Sequence, residues 1–391
     1  MARTRAAELR EAVRLAVEAT LGATGVVQDM HVAIGGGPAL LGRPLEGLVR
    51  LLSAPTYASI RFITQLVGTG LDAVLEQLEP ALGPGGDSRE QDLVVGALNG
   101  VLGDRLEAQG STLALKTELR RRGAPIDAVT PPVSGRVLVL VHGSSATEAC
   151  FERGGQHFGE ALEASHGLTW VAARYNSGRH VSTNGRELSE TLEALVARWP
   201  VPVESLHVVA HSMGGLVMRS ACLDAEAHQR AWRGHLKTLV FLGTPHQGAP
   251  LERVGNVVGA LLGVSRASAP LQTLARLRSA GVTDLRFGLT RDEEWQGASR
   301  FDVDVDPRTE NRLPKGVRCF AIAATLSKEP DDGPLAVGDG LVPIASALGE
   351  HPSPALALDV PEAHRVVLTS LNHMDLLSDA RVLEQLRAWL A

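Results

Sequence analysis

Residues 137–141, Val-Leu-Val-Leu-Val, form an apolar run with no polar interruption. Such a run suits a central strand of a parallel sheet, covered on both faces. Strand-like runs recur at 168–173, 206–210, 317–323 and 365–368. Elsewhere the apolar spacing changes to threes and fours, the stripe of a packed helix. Residues 56–82 place Ile60, Ile63, Val67, Leu71, Val74, Leu75 and Leu78 on one broad face. Residues 5–21 are charged and amphipathic. Residues 90–108 carry Leu93, Val94, Val95, Leu98, Val101, Leu102 and Leu106 as apolar positions. Val382, Leu383, Leu386, Trp389 and Leu390 predict a helix that ends the chain.

These patterns divide the chain. Residues 1–123 read as an all-α domain, interrupted by the glycine- and proline-rich segment 83–88. Arg120, Arg121 and Arg122 read as the charged end of a helix, where cations interact favourably with the dipole. Residues 124–135 read as a linker. Residues 136–391 read as an α/β domain with a mostly parallel sheet, carrying a long insertion at about 249–313, which the family resemblance given below implies to be lid-like.

Candidate chemistry sits at strand ends. Residues 206–215 read as strand, sharp bend at Ser212, then helix. That shape pushes the serine hydroxyl out at the tip of a strained turn, a nucleophile elbow. The turn needs small residues two positions either side, and Ala210 and Gly214 supply them. Ala210 departs from the usual G-x-S-x-G by one methyl. Taken alone, Ser212 reads equally well as a helix N-cap. The loop after strand 137–141 is His142-Gly143-Ser144-Ser145. In such an architecture that loop donates one backbone N–H to an oxyanion and the residue after the nucleophile donates the other. Those donors are the amides of Ser144 and Met213. His373 lies between the last strand and the last helix, the place of a general base. Asp339, between Gly338 and Gly340, is the favoured acid; Asp331 and Asp332 are rivals for that role, as His364 is for the base. His142, Gly143, His211 and His246 flank the proposed site and are expected to shape it and contact substrate.

With these residues in view, the region from about 135 to 391 resembles the α/β-hydrolase superfamily, and within it bacterial lipases and esterases. The carriers are the strand-His-Gly segment at 137–143, Ala-His-Ser-Met-Gly-Gly at 210–215, Gly-Thr-Pro-His-Gln-Gly-Ala at 243–249, Gly-Asp-Gly-Leu-Val-Pro at 338–343 and Asn372-His373. The resemblance implies Ser212 as nucleophile, Asp339 as acid and His373 as base. It implies an ester substrate, a small molecule or a lipid, and no metal or organic cofactor. It does not choose a substrate within the fold, which also hosts thioesterases, acyltransferases and non-catalytic binding modules.

Composition narrows this further. Net charge is −6 and the chain is 44% hydrophobic but only 4% aromatic. That is no footprint of a nucleic-acid binder and implies an aliphatic core. The first residues lack the apolar stretch of a secretory signal, and no run of about 18 apolar residues predicts a spanning helix. Cys150, Cys222 and Cys319 are scattered and odd in number, so they form no disulfide framework. A cytoplasmic location is expected. The N-terminal helices are expected to pack as a bundle, with peripheral lipid contact as the alternative.

The segment 174–186 has two open readings: it orients a substrate head group, or it is a hydrogen-bonded loop capping a helix. Phe301 to Asp306 alternates with aspartates but lacks calcium-loop spacing, and reads as an exposed edge.

Overall fold

The computed structural model describes residues 89–126, 131–249, 279–297, 305–329 and 338–391. The helices expected at 5–21 and 56–82 lie outside these residues. So do most of the lid-like insertion, the segment 301–304, and the rival acids Asp331 and Asp332.

Ten strands are present among the described residues: β1 (Glu118–Arg121), β2 (Ala124–Pro125), β3 (Arg136–Val141), β4 (Glu152–Arg153), β5 (Gln156–His157), β6 (Thr169–Arg174), β7 (Ser205–His211), β8 (Leu236–Leu242), β9 (Arg318–Thr325) and β10 (Arg365–Thr369). The helices are α1 (Arg89–Ala108), α2 (Phe158–His166), α3 (Val181–Arg198), α4 (Met213–Ala227), α5 (Trp232–His235), α6 (Ala280–Asp284), α7 (Ile344–Ala347) and α8 (Ala380–Leu390). Eight strands make one sheet in the order β10-β9-β8-β7-β3-β6-β1-β2. From β6 to β10 every pairing is parallel. The β1–β2 hairpin joins antiparallel to β6. β4 and β5 form a separate two-stranded hairpin.

The unbroken run in β3 explains its central place. Val137, Val139 and Val141 face one core with α3 and α4, while Leu138 and Leu140 face the other with α2 and α8. Side chains alternate across a strand, so a strand covered on both faces must be apolar at every position. α8 buries Val382, Leu383, Leu386, Trp389 and Leu390, the positions its spacing predicts.

The chain runs from β3 outward to β6, then returns to place β7 on the other side of β3. This is a topological switch point, and the loops leaving the carboxyl ends of β3 and β7 diverge there to open a crevice. Sheet order, parallel pairing and flanking helices together define an α/β-hydrolase fold.

The arginine triplet differs from expectation. Glu118–Arg121 is a strand, not the end of a helix, and it extends the sheet ahead of residue 136. Its alternating side chains reach opposite sides: Arg120 pairs with Glu148, and Arg121 pairs with Glu163 while lying over the Trp170 ring. Cross-strand partners, invisible to local periodicity, decide this segment.

α1 forms over nearly the expected residues, but glycines set its packing. A methyl on Gly96, Gly100 or Gly103 would stand 2.7 Å from the Ala146 carbonyl carbon, 2.0 Å from Ser145 Oγ or 1.8 Å from Asn176 Oδ1. The helix therefore lies directly on the loops that follow β3 and β6.

Candidate active site

Ser212 ends β7 and begins α4 with φ 55° and ψ −129°. A side chain in this region stores on the order of 1–3 kcal/mol of strain. Close packing holds it there. A methyl on Gly214 would lie 2.4 Å from the carbonyl oxygen of His142 and 2.5 Å from that of Val141. One on Gly143 would lie 2.8 Å from Ser212 Cβ. The Ser212 amide donates to the Leu242 carbonyl at 2.8 Å. Its hydroxyl does not cap the helix, so the N-cap alternative is not what the side chain does. Ser212 is half-buried within buried neighbours.

Met213 opens α4. The first N–H groups of a helix have no intrahelical carbonyl to reach, so they are free for an anion. Ser144 lies half-buried in the loop after β3, whose Gly143 packs against Ser212.

Asp339 and His373 are 34 positions apart and meet across the ends of β9 and β10. His373 Nδ1 lies 2.6 Å from Asp339 Oδ2. The other carboxylate oxygen accepts the amides of Leu341 at 3.0 Å and Val342 at 2.8 Å. The His373 amide donates to the Asp339 carbonyl at 3.0 Å. Both side chains are nearly inaccessible, at 6% and 1% exposure. A carboxylate held this way fixes Nδ1 as the protonated ring nitrogen and leaves Nε2 as the unprotonated one. The loop after β8 comes close, since a methyl on Gly243 would lie 3.1 Å from Asp339 Oδ2 and 3.2 Å from His373 Cε1.

His211 links the two halves. Its Nε2 lies 3.1 Å from the His373 carbonyl oxygen, so it donates there, and the two rings are 4.6 Å apart. Burial, then the neighbouring His373, pushes its pKa well below the usual histidine range. His142 is fully buried and stacks on Tyr175 at 4.1 Å. Its Nδ1 donates to the Gly143 carbonyl at 2.8 Å, and Tyr175 Oη donates to the His142 carbonyl at 2.6 Å. Burial lowers its pKa to about 4. Both rings thus stay neutral and brace loops.

The other expectations separate. His246 packs edge-on against Phe241 and faces Arg219, with Nδ1 3.4 Å from that guanidinium; none of these contacts is to Ser212, Asp339 or His373. His364 stands beside Phe320 and donates to the Cys319 carbonyl, so the rival base is on the sheet's flank. In the 174–186 segment, Asn176 donates to the Gly103 carbonyl, Asn184 to the Asn176 carbonyl, and Ser177 Oγ accepts the Ser145 amide. This is the loop of the hydrogen-bonded reading, and α3 begins inside it, at Val181. Among the described residues no cluster of three or more His, Cys, Asp or Glu has the arrangement of a metal site.

The glycines of α1 were not singled out by sequence, yet with Tyr175 and Ser177 of the 174–186 segment they brace the loop that carries Ser144. The glycines' signal was small residues at three- and four-residue spacing on one helix.

A family described as a domain of unknown function (DUF7379) matches residues 109–283. No curated protein matches the chain. Among solved structures, the chain is similar to the propeptide form of the Bacillus licheniformis lipase BlEst2, with 17% identity and a TM-score of 0.42 over 70% of this chain and 53% of that one. It is similar also to Aspergillus fumigatus lipase B, with 12% identity and a TM-score of 0.39 over 65% of this chain and 53% of that one. An α/β-hydrolase superfamily protein from Enterococcus faecalis shares 14% identity, with a TM-score of 0.38 over 71% of this chain and 94% of that one. The chain thus spans about half the length of the first two. The fold assignment rests on the sheet order and crossovers given above. No helix among the described residues is long and apolar enough to cross a membrane.

Proposed function

We propose that this protein is a serine hydrolase that cleaves carboxylic esters through an acyl-enzyme, with Ser212 as nucleophile, His373 as base and Asp339 as acid. The observation that carries the reading is the strained Ser212 at the carboxyl end of β7, bridged through His211 to a buried His373–Asp339 pair. His373 Nε2 takes the Ser212 proton as Oγ attacks the ester carbonyl carbon. The carbonyl oxygen becomes an oxyanion held by the amides of Ser144 and Met213. The carbon–alcohol bond then breaks, and His373 returns the proton to the departing alcohol. Water attacks the acyl-enzyme by the same route, releasing a carboxylic acid and restoring Ser212. Ser212 Oγ makes no hydrogen bond among the described residues, and such bonds commonly tighten when substrate arrives.

The test is hydrolysis of p-nitrophenyl esters from acetate to palmitate by the wild type and Ser212→Ala. Wild-type turnover that falls by about 10⁴-fold or more in the variant is expected. The chain-length profile then separates esterase from lipase. Transfer of the acyl group to an added alcohol or thiol faster than to water makes the enzyme an acyltransferase on the same residues. A folded wild type that neither turns over any ester nor reacts with a fluorophosphonate overturns the proposal in favour of a binding module.

A further inference from the structure

The loop after β3 brings Gly143 against the elbow, where a methyl on it would stand 2.8 Å from Ser212 Cβ and 3.3 Å from the His211 carbonyl oxygen. Ser144 follows directly, and each peptide unit flanking it has one group taken. The Gly143 carbonyl accepts His142 Nδ1 at 2.8 Å. The C=O and N–H of a trans peptide unit point in opposite directions, so the Ser144 N–H is turned away from that ring. The Ser145 N–H donates to Ser177 Oγ at 3.0 Å. The Ser144 N–H has no partner among the described residues. Of the two amides, it is the one left for a substrate.

Ser145 is held under strain. Its φ is 56°, in the left-handed region that residues with a side chain rarely adopt. Such a backbone persists only where its surroundings over-determine it. α1 packs on this residue, since a methyl on Gly100 would stand 2.6 Å from Ser145 Cα. Ser177 ties its amide, and Ser177 is itself fixed. It is fully buried. Its neighbour Asn176 donates to the Gly103 carbonyl of α1 at 2.9 Å. Gly281 of α6 donates to the Gly178 carbonyl at 3.0 Å, and a methyl on Gly281 would stand 2.1 Å from the Ser177 carbonyl oxygen. The Ser177 hydroxyl is thus an acceptor clamped between α1 and α6.

We propose that Ser177 is a positioning residue for the reaction: by holding the Ser145 amide, its hydroxyl fixes the direction from which the Ser144 N–H meets the oxyanion. This rests on the hydrolase reading above and names what sets the geometry of its oxyanion hole. An oxyanion donor works only within about 2.7–3.1 Å of the place where the charge develops. Without the tether, Ser145 relaxes from its strained conformation and the Ser144 N–H turns with it. The ground-state ester carbonyl carries little charge and loses little. The tetrahedral state loses a donor's alignment.

Ser177→Ala is compared with the wild type in hydrolysis of p-nitrophenyl butyrate and in inhibition by an alkyl trifluoromethyl ketone. Ser212 Oγ adds to the ketone carbon, its proton passes to His373, and the carbonyl oxygen becomes an alkoxide in the oxyanion hole. Calorimetric binding of the intact ester to Ser212→Ala, with and without Ser177→Ala, reads the ground state. Circular dichroism and urea unfolding check the fold. Removing an oxyanion donor outright costs about 10²–10³, so a misaligned one is expected to cost about 10- to 100-fold in kcat/KM. Inhibitor affinity is expected to fall in parallel, while ester binding to Ser212→Ala stays within about twofold. Ser177→Cys keeps the shape but accepts hydrogen bonds weakly. Its losses are expected to fall between those of serine and alanine, and it carries the test if the alanine variant does not fold.

Unchanged kcat/KM and inhibitor affinity in a folded variant overturn the proposal. So does a loss confined to ester binding, or a fall in kcat/KM that inhibitor affinity does not follow. A wild type that neither cleaves the ester nor forms the ketone adduct overturns the hydrolase reading and this inference together. A wild type that does both, with variants that match it, overturns this inference alone.

Discussion

The two halves of the site are held by different forces. Ser212 keeps its strained backbone through close packing against Gly143 and Gly214, with no side-chain hydrogen bond among the described residues. Asp339 and His373 are held by hydrogen bonds, one between the side chains and four more through backbone amides. A nucleophile has to project free of partners, so only its backbone can be constrained. An acid–base pair has to keep one tautomer and one ring orientation, and directional bonds do that better than packing. The first half is thus sensitive to added volume and the second to lost polarity.

Asp339→Asn gives the largest expected effect. It preserves shape but presents an amide donor to Nδ1, which reverses the tautomer. A loss of about 10³–10⁴ in kcat is expected from steady-state hydrolysis of a soluble ester, with unchanged circular dichroism. A loss below tenfold would falsify the assignment of this carboxylate.

Gly214→Ala probes the packed half. The added methyl meets two backbone carbonyl oxygens at 2.4 and 2.5 Å, and neither is the tip of a flexible side chain. The elbow has to move. A fall of about 10² in kcat/KM is expected from a displacement near 1 Å. A loss of about 1–3 kcal/mol in urea unfolding should accompany it. An alanine variant with wild-type kinetics means that the elbow relaxes without strain.

A smaller effect separates the halves by pH. Burial lowers the pKa of His142, beside the elbow, to about 4, and that of His207, in the strand leading to it, to about 4. In the unfolded chain both rings titrate near their ordinary value of 6.5. Between those values the unfolded chain binds more protons, so stability is full above about pH 6.5 and falls as pH drops toward 4. Each ring contributes a loss of about 2 kcal/mol between pH 7.5 and pH 5. Urea unfolding across that range reads the slope, and His207→Gln is expected to remove that ring's share of it, about 2 kcal/mol between pH 7.5 and pH 5. An unchanged slope in the variant means that His207 titrates alike in both states.

Legibility in the sequence followed the range of the interactions. β3, β7, α1 and α8 were readable because alternation, unbroken apolar runs and helical spacing are local records of burial. The elbow was readable for the same reason: Ala210, Ser212 and Gly214 lie within five residues and the strain is local. The arginine triplet was misread because its helix-like charge says nothing of β6, with which Glu118–Arg121 pairs. His246 was placed near the site by its position after β8, but its ring turns into the core toward Arg219.

By itself, then, the sequence determined the central strands and the bend at Ser212, because each is written in neighbouring residues. The tertiary structure alone decided that Asp339 reaches His373, that His211 bridges His373 to the elbow, and that a glycine face of α1 lies on the loops after β3 and β6. Each of these depends on which distant segments share a contact. Packing and hydrogen bonding between elements settle that, and periodicity along one element carries no record of it.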